Sequence, residues 1–435
     1  MRNSVTQHPD WQQHGIRIVR AGQLDSNTPQ TPGMTRAEAI SLRVGIFRTV
    51  ADCDNCIHTM RIAKMRLKPS RLSVFLALLL LVLGSQIACE AQQRNPTNAP
   101  QQFAVLGDLK LQNGGVIHDL RIGYRTLGKL NAGKSNAILW PTWLGGRTED
   151  LLQFVGPGKV VDTGKYFVIL VDAIGDGVST SPSNSAAQPL MKFPQFTIRD
   201  MVESEHRLLT EVLHLRHLHA VMGLSMGGMQ TFEWTFAYPD FMDLAIPMAG
   251  SPQSTSYDKL LWTSEIDAIE SDPAWNNGNP KGPLSRGPAL ANQIDSMNVT
   301  SPAYRVAQTK SDDFDNLRAQ LAKEAGTDAG SAINQIRQQQ AIMALDLPRE
   351  YGAPLDELAK RAHAKFLIIA TAQDHMVNQA PALAFAKAKG APVITLDSPC
   401  GHISLSCISV GPIVAQFLAD PSSVRSQTLR DPKNY

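Results

Sequence analysis

The stretch Gly223-Leu224-Ser225-Met226-Gly227 places a serine between two glycines, each two positions away. A serine hydroxyl is a poor nucleophile at neutral pH. It attacks a carbonyl only when a base takes its proton, and the base works best when an acid holds its other nitrogen. The G-x-S-x-G pattern alone is weak, because glycine and serine are common. An ordinary glycine-rich turn would read the same. The flanks sharpen the reading. LHAVM, residues 218–222, is a short apolar run of the kind that forms a buried strand, and MQTFEWTFAYP, residues 229–239, continues as a helix that stops at Pro239. Strand, serine and helix in that order predict a nucleophile elbow, with the helix N-terminus beneath the serine.

Such an elbow finds its partners downstream in the order Ser, Asp or Glu, His. Asp374 follows the strand-like run FLIIATAQ, and His402 follows PVITLDSPCG, just past the next one. Of the 11 histidines, His402 alone falls on a loop after the last strand expected from the pattern. His375 competes by adjacency to Asp374 and reads as a surface or supporting residue. Asp397 competes with Asp374 but falls within or at the end of a strand. His206, His214, His217 and His219 lie on or near a helix flank, without the partners at matching spacing that a metal site needs. The tetrahedral intermediate of acyl transfer also requires N–H donors for its oxyanion. The expected donors are the backbone N–H of Met226, directly after the serine, and that of Trp143 in PTWLGG, with Leu144 as the neighbouring alternative.

The elements that must position these residues follow from periodicity. LGDLKLQNGGVIHDLRIGYRTLG alternates apolar and polar residues on both sides of Asn113-Gly114-Gly115, a hairpin signature. NAILW, YFVILVDA, LHAVM, LAIPM, FLIIATA and PVITLD read as buried strands. TIRDMVESEHRLLTEVLHL and residues 379–389 read as helices between them. This rhythm predicts a mostly parallel central sheet with helices on both faces over residues 103–435, and the serine elbow set in it resembles that of the α/β-hydrolase fold. Between about 253 and 355 the rhythm breaks into a helix-rich stretch, expected to be an inserted helical lid. Within it, the glutamine-rich INQIRQQQA, residues 333–341, reads as an exposed helix face.

The bulk numbers exclude some classes. The 435 residues are 43% hydrophobic, with a net charge of +2 and interspersed signs. That is enough for a large core, and no basic stripe suits a nucleic acid. Arg66, Lys68 and Arg71 precede the apolar run Val74 to Leu83, and small residues follow it before Gln92. Residues 65–91 thus resemble a secretory signal peptide, which implies a periplasmic or secreted protein with no stable membrane span once processed. Residues 1–64 then read as a non-native or disordered extension, and 92–102 as a linker. Cys89 admits a lipoprotein anchor, although Gln86 stands where such signals usually carry an aliphatic residue. Cys53 and Cys56 form an isolated CxxC pair upstream of the signal. Cys400 and Cys407 are either two thiols or, in an exported protein, a disulfide.

GYRTLGKLN, VGPGKVVDTGKYFVI, FPQFTIRDMV, GLSMGGMQTFEW and DPAW together resemble the homoserine O-acetyltransferase family of α/β-hydrolases, over about 104–415. The likeness is best through residue 250 and thin in the lid. It implies a triad of Ser225, Asp374 and His402, acyl transfer through an acyl-serine, and a homodimer built on the lids. Trp143 occupies the family's oxyanion position, in PTWLGG where the family usually has HALTG. Two departures stand out. The family's lid carries GLxxAR, whose arginine suits the homoserine carboxylate. Here GPALAN puts Asn292 in that place. The family carries an aspartate after the catalytic histidine, placed for the substrate ammonium. Here Ile403 follows. Burying a zwitterion without its partners costs several kcal/mol, so both changes argue against homoserine unless Arg286 or Arg305 compensates. Acetyl-CoA is cytosolic, so an exported protein of this kind would use water. The expectation is an exported esterase-like hydrolase acting on a small-molecule ester, with no cofactor or metal. An acyl-CoA-dependent acyltransferase, with acetyl-CoA as co-substrate, is the alternative, and a non-catalytic binding protein is the remaining one.

Overall fold

A computed structural model describes residues 99–433. The readings made for residues 1–98, including the leader, Cys53, Cys56 and Cys89, lie outside the described residues. The first described elements form an antiparallel hairpin, β1 (Gln102–Lys110) and β2 (Val116–Leu127), as the Asn113-Gly114-Gly115 turn predicts. Then follow β3 (Ala137–Pro141), α1 (Thr148–Leu151), β4 (Phe167–Val171), α2 (Ile198–Arg207), β5 (Leu218–Leu224), α3 (Met226–Ala237) and β6 (Met242–Met248). After the lid come β7 (Lys365–Phe366), β8 (Ile368–Thr371), α11 (Ala380–Lys389), β9 (Val393–Asp397), α12 (Gly411–Ala419) and β10 (Gln427–Arg430). The lid itself holds α4 (Ser256–Glu270), α5 (Arg286–Asn298), α6 (Pro302–Gln308), α7 (Phe314–Ala325), α8 (Ala329–Ala344), α9 (Leu347–Glu350) and α10 (Leu355–Arg361).

The sheet runs β1-β2-β4-β3-β5-β6-β8-β9-β10, with β7 on β6. β1 to β2 and β2 to β4 are antiparallel, and the other pairs are parallel. Strand alternation divides the core in two. Leu139, Ile169 and Val221 face one layer, against Met201 of α2 and Phe232 of α3. Ile138, Leu170 and Met222 face the other, against Val414 and Phe417 of α12. Burial on both faces is what makes these strands near-continuous apolar runs. Among the described residues no helix is long and apolar enough to cross a membrane.

Several expectations need correction. The linker does not extend to residue 102. Ala99 is buried, its carbonyl accepts from Arg125, and Gln101 Nε2 donates to Asp172 Oδ2 at 2.7 Å. A polar composition there hides residues that satisfy buried groups. β9 is not the last strand, because the polar run of β10 adds a parallel edge beyond it. The 333–341 helix face is not exposed. Gln338 and Gln339 are fully buried, with Asn334 and Arg337 nearly so. Their polar ends bond the α/β body and the lid, so residue type misstates their location.

Burial of charge-bearing groups in this core has a measurable consequence. Glu205 on α2 is buried, and its Oε2 accepts from Trp234 Nε1 at 2.6 Å, while Oε1 has no partner among the described residues. Burial pushes its carboxyl up to about 8, from an ordinary 4.5. The folded state therefore holds a proton that the unfolded chain has lost, and stability falls as pH rises from about 4.5 to about 8. Glu205→Gln keeps an acceptor for Trp234 and removes the titration. Calorimetry should show a Tm gain of about 3 °C or more at pH 8.5 and almost none at pH 5.

Candidate active site

β5 ends at Leu224 and α3 begins at Met226, so Ser225 alone makes the turn. Its φ of 58° and ψ of −120° are strained for a residue with a side chain. The strain is held from both sides. Ser225 N donates to Met248 O of β6 at 2.8 Å, and strand and helix pack almost in contact. A Cβ on Gly223 would lie 2.3 Å from the Gly227 carbonyl, and one on Gly227 would lie 2.7 Å from Pro141 O. Both glycines of the motif are therefore required by close approach.

The downstream loops bring their residues to this serine. His402 Nε2 lies 2.8 Å from Ser225 Oγ, and His402 Nδ1 lies 2.8 Å from Asp374 Oδ2. With the Nδ1 proton donated to the carboxylate, Nε2 accepts from the serine hydroxyl. Asp374 is fixed in turn by Thr371 Oγ1, at 2.6 Å from Oδ2, and by the N–H groups of Met376 and Val377, each 2.9 Å from Oδ1. Burial alone would raise the Asp374 carboxyl, but the charge of His402 and these hydrogen bonds outweigh it and hold it below the ordinary range. For His402, burial pulls the imidazole down, and the charge and hydrogen bond of Asp374, with the charge of Asp295, lift it above its ordinary value. The competitors stand apart. His375 is exposed, and Asp397 pairs loosely with Arg430 at 3.5 Å. His206 stacks on Tyr238, His217 bonds Asp243, and His219 bonds Leu418 O. None of these borders the serine's cavity. A disulfide joins Cys400 and Cys407, with Cα atoms 6.6 Å apart, across the turn that carries His402.

Ser225 and His402 open into a cavity of about 290 Å³. Its walls are largely apolar, with Trp143, Phe154, Trp262, Val299, Met376 and Ile403 among them. Met226 is the first residue of α3, so its N–H has no acceptor within the helix. Trp143 and Leu144 border the cavity beside the serine. Glycines follow them, and Gly145 N donates to Gln338 Oε1 at 2.8 Å, while Gln338 Nε2 donates to Ile174 O at 3.0 Å. A buried lid glutamine thus clamps the loop that carries the expected oxyanion donor. Gln338→Leu should lower kcat on an activated ester about tenfold or more, with a smaller change in KM. Steady-state kinetics on the folded variant check this.

Some residues here escaped sequence reasoning. Asp295 of α5 borders the cavity, and burial pushes its carboxyl up to about 6 against the pull of His402. Asn292 donates to Leu321 O at 2.8 Å and does not line the serine's cavity. Neither do the proposed compensating arginines. Arg305 donates to Ser296 Oγ at 2.7 Å, and Arg286 lines a separate surface groove with Asp315 and Arg318. The four-residue spacing of Asn334 and Gln338 was the available signal for a shared helix face.

The family model for the alpha/beta hydrolase fold matches residues 150–405. The chain belongs to the α/β-hydrolase family. Within it, the chain is related to homoserine O-acetyltransferases and to esterases alike. It is 40% identical over 182 residues to a probable esterase of Corynebacterium glutamicum, covering 41% of this chain and 52% of that protein. It is 39% identical over 185 residues to an ethyl acetate hydrolase of Pseudomonas veronii, covering 42% and 52%. It is 36% identical over 219 residues to a homoserine O-acetyltransferase of Geotalea daltonii, covering 46% and 59%. The chain thus spans a little over half the length of the curated relatives it matches. The crystal structure of an acetylester hydrolase from Corynebacterium glutamicum superposes with a TM-score of 0.68 at 27% identity, over 74% of this chain and 96% of that one.

Proposed function

We propose that this α/β-hydrolase is an exported esterase that cleaves a small carboxylic ester through an acyl-serine. The observation that carries the reading is the wall around Ser225 and His402. It is mostly apolar, it has Ile403 next to the histidine, and among the described residues no lysine or arginine lines it. A zwitterionic acceptor entering there would find no cation for its carboxylate. The esterase relatives support the same choice.

In this reading, His402 takes the Ser225 proton as Oγ attacks the ester carbonyl. The oxyanion rests on the N–H groups of Met226 and Trp143. The acyl–oxygen bond breaks, and His402 gives its proton to the departing alcohol. Water then loses a proton to His402, attacks the acyl-serine, and releases the acid as Ser225 regains its hydrogen. Asp374 holds the tautomer throughout and stabilises the imidazolium. The leader-like residues 65–91 support export, with a periplasmic or secreted location and Cys89 as a lesser anchoring option. The Cys400–Cys407 disulfide is of the kind that persists in an oxidising compartment. A homodimer through the lids belongs to the same reading.

A second reading is acyl transfer from acetyl-CoA, and the homoserine O-acetyltransferase relatives favour it. Labelling one sample with a fluorophosphonate, and pulsing a separate unlabelled sample with p-nitrophenyl acetate under rapid quench, tests the shared first half. Modification of Ser225 and an acetyl adduct on it are expected. Failure of both on folded protein would favour a non-catalytic binding role.

A further inference from the structure

A second cavity, of about 490 Å³, lies against the first. Leu144 and Asp295 border both, so it begins one side chain away from the space that holds Ser225 and His402. The two differ in kind. The first is walled mainly by hydrocarbon and aromatic rings, whereas eleven of the eighteen residues around the second carry polar side chains. Its volume suits a small organic ligand.

The polar groups have a direction. Asp176 is 6% exposed, and its Oδ1 accepts from the N–H groups of Val178 and Ser179 at 2.8 and 2.9 Å. Its Oδ2 is buried without a partner among the described residues. Asn292 and Gln335 each spend an amide N–H on the protein, on Leu321 O and Glu265 respectively, which leaves their side-chain oxygens for another donor. Asp295 adds a carboxylate at the boundary between the cavities. One cation, Arg147, stands on the rim. The cavity therefore offers free acceptors on Asn292, Gln335 and Asp295, and the Asp176 carboxyl, whose ionisation is opposed by burial and by the Asp172 charge. Its donors are the second amide N–H of Asn292 and of Gln335, and Arg147.

This arrangement selects among ligands. An anion meets more carboxylates than cations. An aliphatic chain would take water from these groups without replacing its hydrogen bonds, which disfavours it. A hydroxyl both donates and accepts, so several hydroxyls can satisfy the acceptors and also take a hydrogen bond from Arg147. We propose that the second cavity seats a polyhydroxylated alcohol, so that the ester presented to Ser225 is the acetate of a sugar-like polyol. The cleavage step is the one given above, with the polyol leaving on the proton from His402. The proposal rests on the esterase reading for its chemistry, but its binding part is separable.

The test uses the full chain carrying Ser225→Ala, which binds without turnover. Ligand-observed NMR gives Kd values for glucose 6-acetate, acetylcholine and ethyl acetate. Glucose 6-acetate is expected to bind about tenfold or more tightly than ethyl acetate. Adding Asn292→Leu, or separately Gln335→Leu, should bring that ratio close to one. Equal binding of all three, or tightest binding of acetylcholine, overturns the proposal, the latter in favour of a cation subsite. Turnover of p-nitrophenyl acetate by the unmodified protein reports on the esterase reading alone. Hydrolysis without sugar-ester preference sinks only this inference, and sugar-ester binding without hydrolysis sinks only the other.

Discussion

Ser225→Ala is expected to reduce ester cleavage roughly ten-thousandfold or more while leaving the fold intact. The small side chain removes Oγ and nothing that packs, because the strained turn is held by backbone contacts to Met248 O and by glycine proximity. His402→Ala should cost about as much. The double variant should be little worse than either single one, since nucleophile and base act as one unit. Steady-state kinetics on p-nitrophenyl acetate, with circular dichroism as the folding control, measure this. Independent, additive losses would mean that the 2.8 Å contact between His402 and Ser225 is not the reacting pair.

Asp374→Asn should bring the next largest loss, about a thousandfold in kcat, and it carries a pH signature. The carboxylate and its hydrogen bond lift His402 above the ordinary imidazole value. The base must be neutral to accept the serine proton. The acid limb of kcat/KM in the unmodified protein is therefore expected above the usual histidine range. Asparagine removes the charge, and the limb moves to lower pH as the plateau falls. Its amide can also donate to Nδ1 and so favour the tautomer that leaves Nε2 protonated, which blocks the base. Acid-limb positions from rate profiles of both proteins decide the matter. An unmoved limb would place the controlling titration on another group, with Asp295 the nearest candidate, since burial pushes it up to about 6.

The hydrogen-bonded set of Ser225, His402 and Asp374 was legible because each member sits at the end of a strand whose apolar run is conspicuous. Ser225, Asp374 and His402 follow β5, β8 and β9, and order along the chain was enough to pair them. The helix-rich stretch between β6 and β7 was legible as a break in rhythm, and its helices run on to Arg361. What was not legible depends on tertiary partners. Gln338 and Gln339 look like surface residues until Gly145, Ile174 and Glu265 are placed against them. Asp295 reads as one more helical carboxylate, and only the fold sets it against His402. β10 is too polar and too short to announce itself, since an edge strand keeps one side in water. The fate of Cys400 and Cys407 needed the distance across the His402 turn, which sequence does not supply.

The central claim is that water, and not an acceptor alcohol, completes the reaction. The most direct measurement follows acetate and free CoA in parallel on the full chain, with Ser225→Ala as the control. One aliquot receives p-nitrophenyl acetate, and the other receives acetyl-CoA with L-homoserine. Serine-dependent acetate release from the ester, without CoA release from the second mixture, is the predicted result. Serine-dependent CoA release that requires homoserine would contradict it, and would mean that the apolar cavity wall and Ile403 do accommodate a zwitterion.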